Sequence, residues 1–524
     1  MDRARPPPAG RSAGPAMSRA LLLLLALLLP LGPVAASGGD DEIVKEFRKY
    51  FRKFKDTPTR VEAVMALQGT ESEGVVTVLI PVLADPEPEV VRAAIEVLGT
   101  FASRPPVEAI FLRLAEEKRE PVRVGLLRAI ARGGYAGPPE PLLDCLGDKA
   151  WDVRRRAIQA LAARAEAGAA PAIALLCEDK EGAVRCAAME GLAALKSPLC
   201  IDPAIAALAD GVWQVRVSAV LALRNVRHKR SIGPLIDRME VEEGRLIEDI
   251  GDALGAITGK GFGQRTELWR QFWDNTAERF EIPTDEELVK LREKQAEARA
   301  RYSRPGSVSY HGIETPSRSI LFIIDVSGSM ESLVVEQERF ADGDYPSFAR
   351  IDIVKTELAR TIEGLESYVK FNILSFATEV EPWKNKLVGA NVLNKRSAVD
   401  WTMRREAIGG SSNEDLARAG LVGSANLDAG KTNTYGVLMQ GLEAAGRGTR
   451  DDHYDVAVDT IFFLSDGRPT HGELVDPDDI LREVRSANDL RKVKIHTIAI
   501  GEFQKDFMRR LAAENEGAFV DLGR

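Results

Sequence analysis

Five oxygen-bearing side chains in the second half of the sequence occupy positions from which they could bind one metal ion. Asp325 ends an apolar run, Ser327 and Ser329 follow it, and Asp466 ends a second apolar run. Thr432 lies in a third loop, at the start of a predicted helix. Carboxylates and hydroxyls are hard ligands, and no thiolate or imidazole joins them. This set favours Mg²⁺, with Mn²⁺ or Ca²⁺ as alternatives, over zinc or copper.

The apolar runs around these residues are short and nearly continuous, as expected of strands that are covered on both faces. Helical patterns separate the runs, so the sequence predicts an α/β domain with a doubly wound, Rossmann-like parallel sheet. Ligands of such sheets bind beyond the carboxyl ends of the strands, where the strand order reverses, and residues that end buried strands should meet there. The predicted strands are 319–325, 370–376, 460–466 and 493–501.

The order of these residues, DxSxS at Asp325, Ser327 and Ser329 followed by Thr432 and Asp466, resembles the von Willebrand factor type A (VWA) fold and its metal-ion-dependent adhesion site. The resemblance implies that the two serines and the threonine touch the metal directly. It also implies that the two aspartates hold the metal directly or through water. All five positions are present in the order of the family pattern.

The resemblance places the VWA domain over residues 305–524. A glycine- and alanine-rich stretch around 405–430 is interpreted as a loop insertion over the site. Thr434 is the alternative to Thr432 as the metal ligand, because the loop reads TNT.

The predicted metal ligands are better suited to binding a partner than to catalysing a reaction. Neutral hydroxyls leave the cation electron-poor, so a vacant coordination position should capture an Asp or Glu of a protein partner. No HExxH motif or nucleophile elbow is present, and we expect no enzyme activity. The alternatives are a chaperone-like subunit that docks on an enzyme complex and, less favoured, a lyase on the N-terminal repeats or a metal-dependent hydrolase.

The first half of the sequence repeats an amphipathic helical hairpin. Apolar residues recur every 31 residues, with one step of 32, which resembles HEAT-like repeats and predicts an all-α solenoid of about seven hairpins over 41–260. Columns of Asp and Arg recur at the same period and are read either as a ladder between neighbouring repeats or as a charged binding stripe. The recurring apolar residues are Leu67, Leu98, Ile130, Leu161, Leu192, Leu223 and Leu254.

Residues 261–304 are expected to join the two parts. Trp269 and Trp273 have i, i+4 spacing and should cover the apolar end of the last repeat. The charged segment after them begins with Thr284 and Glu287 at the spacing of a capping box, which predicts a solvated connector helix.

The N-terminus predicts export. Within residues 1–37, Arg19 precedes an apolar run that Pro30 interrupts and small residues follow, which is typical of a secretory signal peptide, with Met17 as an alternative start. We therefore expect a periplasmic or extracellular protein without a stable membrane span after cleavage. The net charge of −9 disfavours nucleic-acid binding. Four cysteines lack metal-ligand spacing, and their disulfide state is left open.

Overall fold

A computed structural model describes residues 39–291, 309–310, 312–408, 430–446, 448–450, 458–466, 468–501 and 505–522. The predicted signal peptide, residues 292–304 of the predicted connector and residues 409–429 of the predicted insertion lie outside these ranges. The chain divides into two compact units after Gly133, inside the predicted solenoid.

The first unit consists, in its described part, of three helical hairpins. Small and branched apolar residues form the buried side of each helix, as in the helix Pro88–Leu98, where Val90, Ala94 and Val97 are fully buried. Pro88 at the first turn has no N–H to leave unpaired there. The helices are α1 (Gly39–Lys53), α2 (Thr57–Met65), α3 (Glu73–Leu79), α4 (Pro88–Leu98), α5 (Arg104–Glu116) and α6 (Glu120–Gly133).

The second unit begins with four further helical hairpins. Each of the seven recurring apolar residues is 0 or 1% exposed, so the residues that recur at the predicted period are buried. All four cysteines are buried within these hairpins, and none of them forms a disulfide. The helices are α7 (Glu140–Cys145), α8 (Trp151–Ala163), α9 (Ala170–Leu175), α10 (Gly182–Ala194), α11 (Ile201–Ala207), α12 (Trp213–Val226), α13 (Ile232–Val241) and α14 (Arg245–Thr258).

The Asp and Arg columns form a ladder between successive repeats. Arg154 donates to both carboxylate oxygens of Asp179 in the next repeat, at 2.7 and 2.8 Å, and to the carbonyl of Asp148 at 2.8 Å. Arg185 contacts Asp210 in the same manner, at 2.8 and 2.9 Å. These arginines are paired bidentately inside the array, so the ladder interpretation is confirmed in preference to the binding stripe.

The predicted cap follows the last repeat. Helix α15 (Thr266–Thr276) packs against α13, and Trp269 is fully buried with its indole N–H donating to the carbonyl of Gly263 at 2.8 Å. The next helix, α16, covers residues 285–291. The Thr284 hydroxyl accepts from Glu287 N–H at 3.3 Å while the Glu287 carboxylate accepts from Thr284 N–H at 2.9 Å, which confirms the capping box.

The α/β part contains a hairpin of two short strands and a seven-stranded sheet. The hairpin consists of β1 (Ser309–Tyr310) and β2 (Ile313–Glu314), and the sheet consists of β3 (Ser319–Asp325), β4 (Lys370–Phe376), β5 (Val380–Pro382), β6 (Val388–Gly389), β7 (Thr460–Ser465), β8 (Lys494–Ala499) and β9 (Phe519–Asp521). The order in the sheet is β5-β4-β3-β7-β8-β9, and β6 also pairs with β4. Five strands are parallel, as the sequence predicted for the central ones, whereas the short strands β5 and β6 run antiparallel to β4.

Helices cover both faces of this sheet, as a doubly wound fold requires. Successive side chains of β3 point to opposite faces: Phe322 and Ile324 belong to one apolar cluster, whereas Leu321 and Ile323 belong to the other. Helices α17 (Arg350–Gly364) and α18 (Val392–Met403) contribute to the first cluster. Helices α19 (Thr434–Ala444), α20 (Pro477–Asn488) and α21 (Lys505–Glu514) contribute to the second.

The second helices of the last four repeats contact the amino edge of this sheet through charged side chains. Lys494 at the start of β8 is 2% exposed and pairs with Glu248 at 2.9 Å and Asp249 at 2.8 Å on α14. Arg245 on the same helix donates to the carbonyl of Asp459, just before β7, at 3.1 Å. The solenoid residues in this contact therefore face the edge opposite the one at which Asp325 ends β3.

The other second helices add contacts of the same kind. Glu190 on α10 pairs with Lys492 at 2.6 Å, and Arg224 on α12 pairs with Glu516 at 2.7 Å. Gln159 on α8 donates to Asp489 at 2.8 Å.

In the part of the chain that the structure describes, no helix is both long and apolar enough to cross a membrane.

Candidate functional site

The site lies at the carboxyl end of β3, the strand that has β4 on one side and β7 on the other. The chain continues from β3 to β4 on the first side and returns later to β7 on the second side. This arrangement is a topological switch point, the position at which open α/β sheets bind ligands. Asp325 is the last residue of β3 and is fully buried. One of its carboxylate oxygens accepts from the backbone N–H of Ser327 at 2.8 Å, and the other accepts from the hydroxyl of Ser465 at the end of β7.

The two serines of the motif connect Asp325 to Asp466. The hydroxyl oxygens of Ser327 and Ser329 lie 3.2 Å apart, and the Ser329 hydroxyl donates to Asp466 Oδ1 at 2.8 Å. Ser327 and Asp466 are 1% and 2% exposed, whereas Ser329 is exposed, so the site can be reached from solvent on the Ser329 side. The structure thus brings four of the five predicted residues into one hydrogen-bonded chain.

The loop of Thr432 is tied by its backbone to the loops on either side. Gly328 N–H, between the two serines, donates to the carbonyl of Gly430 at 3.1 Å. Thr432 N–H donates to the hydroxyl of Thr470 at 2.9 Å, and Thr470 N–H donates to the carbonyl of Thr432 at 3.0 Å. Thr470 follows Asp466 by four residues, so three loops that are distant in sequence meet at the carboxyl edge.

Thr434, the alternative ligand, is the first residue of α19. Asn433 precedes it as the N-cap, with Oδ1 accepting from Gly436 N–H at 3.0 Å. Thr434 is 1% exposed, and its hydroxyl has no hydrogen-bond partner among the described groups. Thr432 is 4% exposed. The sequence preference for Thr432 over Thr434 stays a prediction.

Arg350 is a member of the site that the sequence analysis missed. Its guanidinium forms an ion pair with Asp466 Oδ2 through Nη1 and is buried beside Gly501, whose added Cβ would lie 3.2 Å from Arg350 Cζ. Arg350 is the first residue of α17, where the helix dipole disfavours a cation. The sequence did contain one indication of this role. An arginine at the start of a helix is unfavourable by itself, so it predicts an anionic partner elsewhere in the fold.

The site contains two buried carboxylates, Asp325 and Asp466, whose negative charges repel each other. Burial is the main effect that raises the pKa of Asp325 to about 7, and the negative charge of Asp466 acts in the same direction. Hydrogen bonds from Ser327 and Ser465 act in the opposite direction. A cation at this edge would offset both unfavourable effects and hold Asp325 in its charged form.

The oxygen spacing in the site fits a small octahedral cation. Neighbouring ligands of Mg²⁺ at about 2.1 Å from the ion lie about 3 Å from one another. The two serine hydroxyls are separated by 3.2 Å, and the Ser329 hydroxyl lies 2.8 Å from Asp466 Oδ1. The residues present therefore fit a hard divalent cation.

Comparison with protein families supports both parts of the predicted architecture. A model described as HEAT repeats matches residues 44–131 and 139–224. A model described as a von Willebrand factor type A domain matches residues 341–521. The latter match begins after Asp325, Ser327 and Ser329, so it supports the domain and does not test its metal ligands.

Relatives resemble part of the chain. It is 26% identical over 204 residues to inter-alpha-trypsin inhibitor heavy chain H1 of Mesocricetus auratus, covering 38% of this chain and 18% of that protein. It is 31% identical over 209 residues to heavy chain H6 of Homo sapiens, covering 39% of this chain and 13% of that protein. A solved structure titled von Willebrand factor type A from Catenulispora acidiphila has a TM-score of 0.23 and 16% identity, over 40% of this chain and 39% of that one. The chain thus spans less than a fifth of the length of these two curated relatives.

Proposed function

We propose that this chain is an exported protein-interaction protein whose VWA domain binds an acidic residue of a partner through a divalent cation, with Mg²⁺ as the preferred ion. Asp325, Ser327, Ser329, Thr432 and Asp466 would hold the ion. When bound, it supplies a Lewis-acidic position for a carboxylate from outside. The observation that supports this proposal most directly is the hydrogen-bonded chain from Asp325 through the two serines to Asp466.

We propose binding without turnover because the side chains around the carboxylates are hydroxyls and one arginine. The histidine nearest in sequence to Asp466, His471, contacts Thr432 through its backbone N–H, at 3.2 Å from the carbonyl. A general base within reach of a bound water would be needed for hydrolysis. The described residues at this edge thus support recognition.

The solenoid is proposed as the second binding surface. The second helices of the last four repeats already contact the α/β domain through residues such as Glu190 and Asp249. A partner would therefore contact other helices of the array. Two weak contacts on one chain raise the overall affinity without further chemistry at either site.

Metal binding is the first test of this function. Isothermal titration calorimetry with Mg²⁺ and Mn²⁺ should show saturable binding to the wild type and at least about tenfold weaker binding to Asp325→Ala. Thr432→Ala should also weaken binding, whereas Thr434→Ala is the matched control and should not. Metal uptake that Asp325→Ala leaves intact would contradict the proposed site, and the reverse order of the two threonine variants would move the ligand to Thr434.

Partner binding is the second test. Proteins from an extracytoplasmic fraction are captured on the wild type and on Asp325→Ala, each with Mg²⁺ and with EDTA. The proposal expects a protein that is retained only by the wild type with Mg²⁺. Identical proteins in all four samples would show that recognition does not use the metal.

A further inference from the structure

Arg350 places a positive charge directly on one of the proposed metal ligands. Its Nη1 pairs with Asp466 Oδ2, while Asp466 Oδ1 accepts from Ser329. Arg350 is 8% exposed, so solvent screens this charge only weakly. The negative charge of Asp466, which would help to hold a divalent ion, is thus already neutralised by the guanidinium of Arg350.

The pairing of Arg350 is incomplete compared with the other buried arginines. Arg154 uses three nitrogens, two of them on one carboxylate, and forms a closed network. Arg350 contacts Asp466 through Nη1 alone, with a long contact of 3.5 Å to the carbonyl of Ser329. Its buried Nε has no hydrogen-bond partner in the described part of the chain. A single contact of this kind can be weakened without breaking a larger network.

We propose that Arg350 is a positioning residue that acts as a built-in counter-cation of the metal site: it stabilises Asp466 when no metal is bound and lowers the affinity for the divalent ion. This inference rests on the proposed function, since it concerns the same ligands. When both carboxylates are ionised, as they would be around a cation, the two carboxylates and the guanidinium give the described site a net charge of −1 without the ion. With a divalent ion the net charge becomes +1, which favours an incoming carboxylate.

Removing the charge of Arg350 should therefore strengthen metal binding. Arg350 and a divalent ion bound to the same carboxylate would repel each other. This repulsion should weaken the affinity for the ion by more than about tenfold, even at an effective dielectric constant of about 20. We expect Arg350→Gln to bind Mn²⁺ at least about tenfold more tightly than the wild type. Arg350→Lys keeps the charge and should stay within about threefold.

The experiment measures Mn²⁺ affinity by calorimetry and thermal unfolding in chelator and in saturating Mn²⁺, for wild type, Arg350→Gln and Arg350→Lys. In chelator, Arg350→Gln should unfold at a lower temperature than the wild type, and saturating metal should remove most of the difference. If Arg350→Gln does not fold, Arg350→Met provides the same comparison with an uncharged chain. A merely structural role would leave the affinity unchanged or weaker.

The outcomes separate this inference from the proposed function. If the wild type binds metal and the uncharged variants bind it no more tightly, the inference about Arg350 is wrong and the metal site stands. If the wild type does not bind and Arg350→Gln does, the arginine acts as inferred but the proposed function of the wild type fails. If no variant binds, both are wrong.

Discussion

Replacing Lys494 by methionine tests whether the charged contact between the solenoid and the sheet stabilises the second unit. Lys494 is 2% exposed and pairs with Glu248 and with Asp249, which is itself 3% exposed at its side chain. Burial acts to lower the pKa of Lys494, but Asp249 and Glu248 together raise it above its usual value. The folded protein therefore favours the charged lysine, and its loss would leave buried carboxylates short of a partner.

The expected effect follows from the burial of this group. Removing one partner of a buried ion pair destabilises a protein by roughly 3–5 kcal/mol, because the other charge stays buried. Asp249 keeps Arg245 at 3.0 Å, so the lower part of that range is expected. A loss of about 3 kcal/mol is a large fraction of the stability of an ordinary domain.

Urea denaturation followed by tryptophan fluorescence measures this change. The matched control is Arg510→Met, which removes an exposed ion pair with Asp478 and should have little effect on stability, because the two side chains are 44% and 61% exposed. The double variant Lys494→Met with Asp249→Asn should lose less than the sum of the two single changes. A Lys494→Met protein as stable as Arg510→Met would refute this account of the contact.

Two further predictions concern buried titratable groups. Burial, followed by the charges of Lys494 and Arg245, lowers the pKa of His496 from 6.5 to about 3, so the folded state keeps this imidazole neutral. The contribution of neutral His496 to the free energy of unfolding is fully present above the pKa that histidine has in the unfolded chain. It is lost as pH falls below that value toward the lower pKa of the folded state. The wild type should therefore lose about 2 kcal/mol more than His496→Gln between about pH 7 and pH 5, and parallel losses in urea denaturation would exclude this assignment. Burial also raises the pKa of three thiols to about 12, so a thiol-specific disulfide reagent at about pH 8 should leave them unmodified in the native protein and modify them in denaturant. Fast native labelling would contradict that description of Cys177, Cys186 and Cys200.

The central strands and the strand-end residues could be predicted from the sequence because both signals are local. β3 and β4 have the predicted bounds, since each is a short and mostly apolar run that is bounded by polar residues. The antiparallel strands β5 and β6 contain three and two residues, too few for a periodic pattern. The sequence therefore predicted the four central parallel strands and missed the two antiparallel ones.

Arg350 and Lys494 could not be assigned in the same way because their partners are distant in sequence. Arg350 lies 116 residues from Asp466, and Lys494 lies 246 residues from Glu248. A charged residue at the start of a helix or strand has the pattern of a solvated position, and its burial depends on which other element packs over it. Site residues that end strands were predictable, whereas the charges that support them required the tertiary structure.

The two edges of the sheet carry charge for different reasons. At the amino edge, the charges of Lys494 and Arg245 balance those of Glu248 and Asp249. Removing one of these buried charges leaves its partner without a counter-charge. At the carboxyl edge, Asp466 pairs with the guanidinium of Arg350, whereas Asp325 accepts hydrogen bonds from the neutral groups of Ser327 and Ser465. The last four repeats contact the amino edge of the sheet, so the carboxyl edge, where we propose that an ion and a partner bind, lies away from them. Neutralising Lys494 should therefore lower stability without changing metal affinity, whereas neutralising Arg350 should change metal affinity itself.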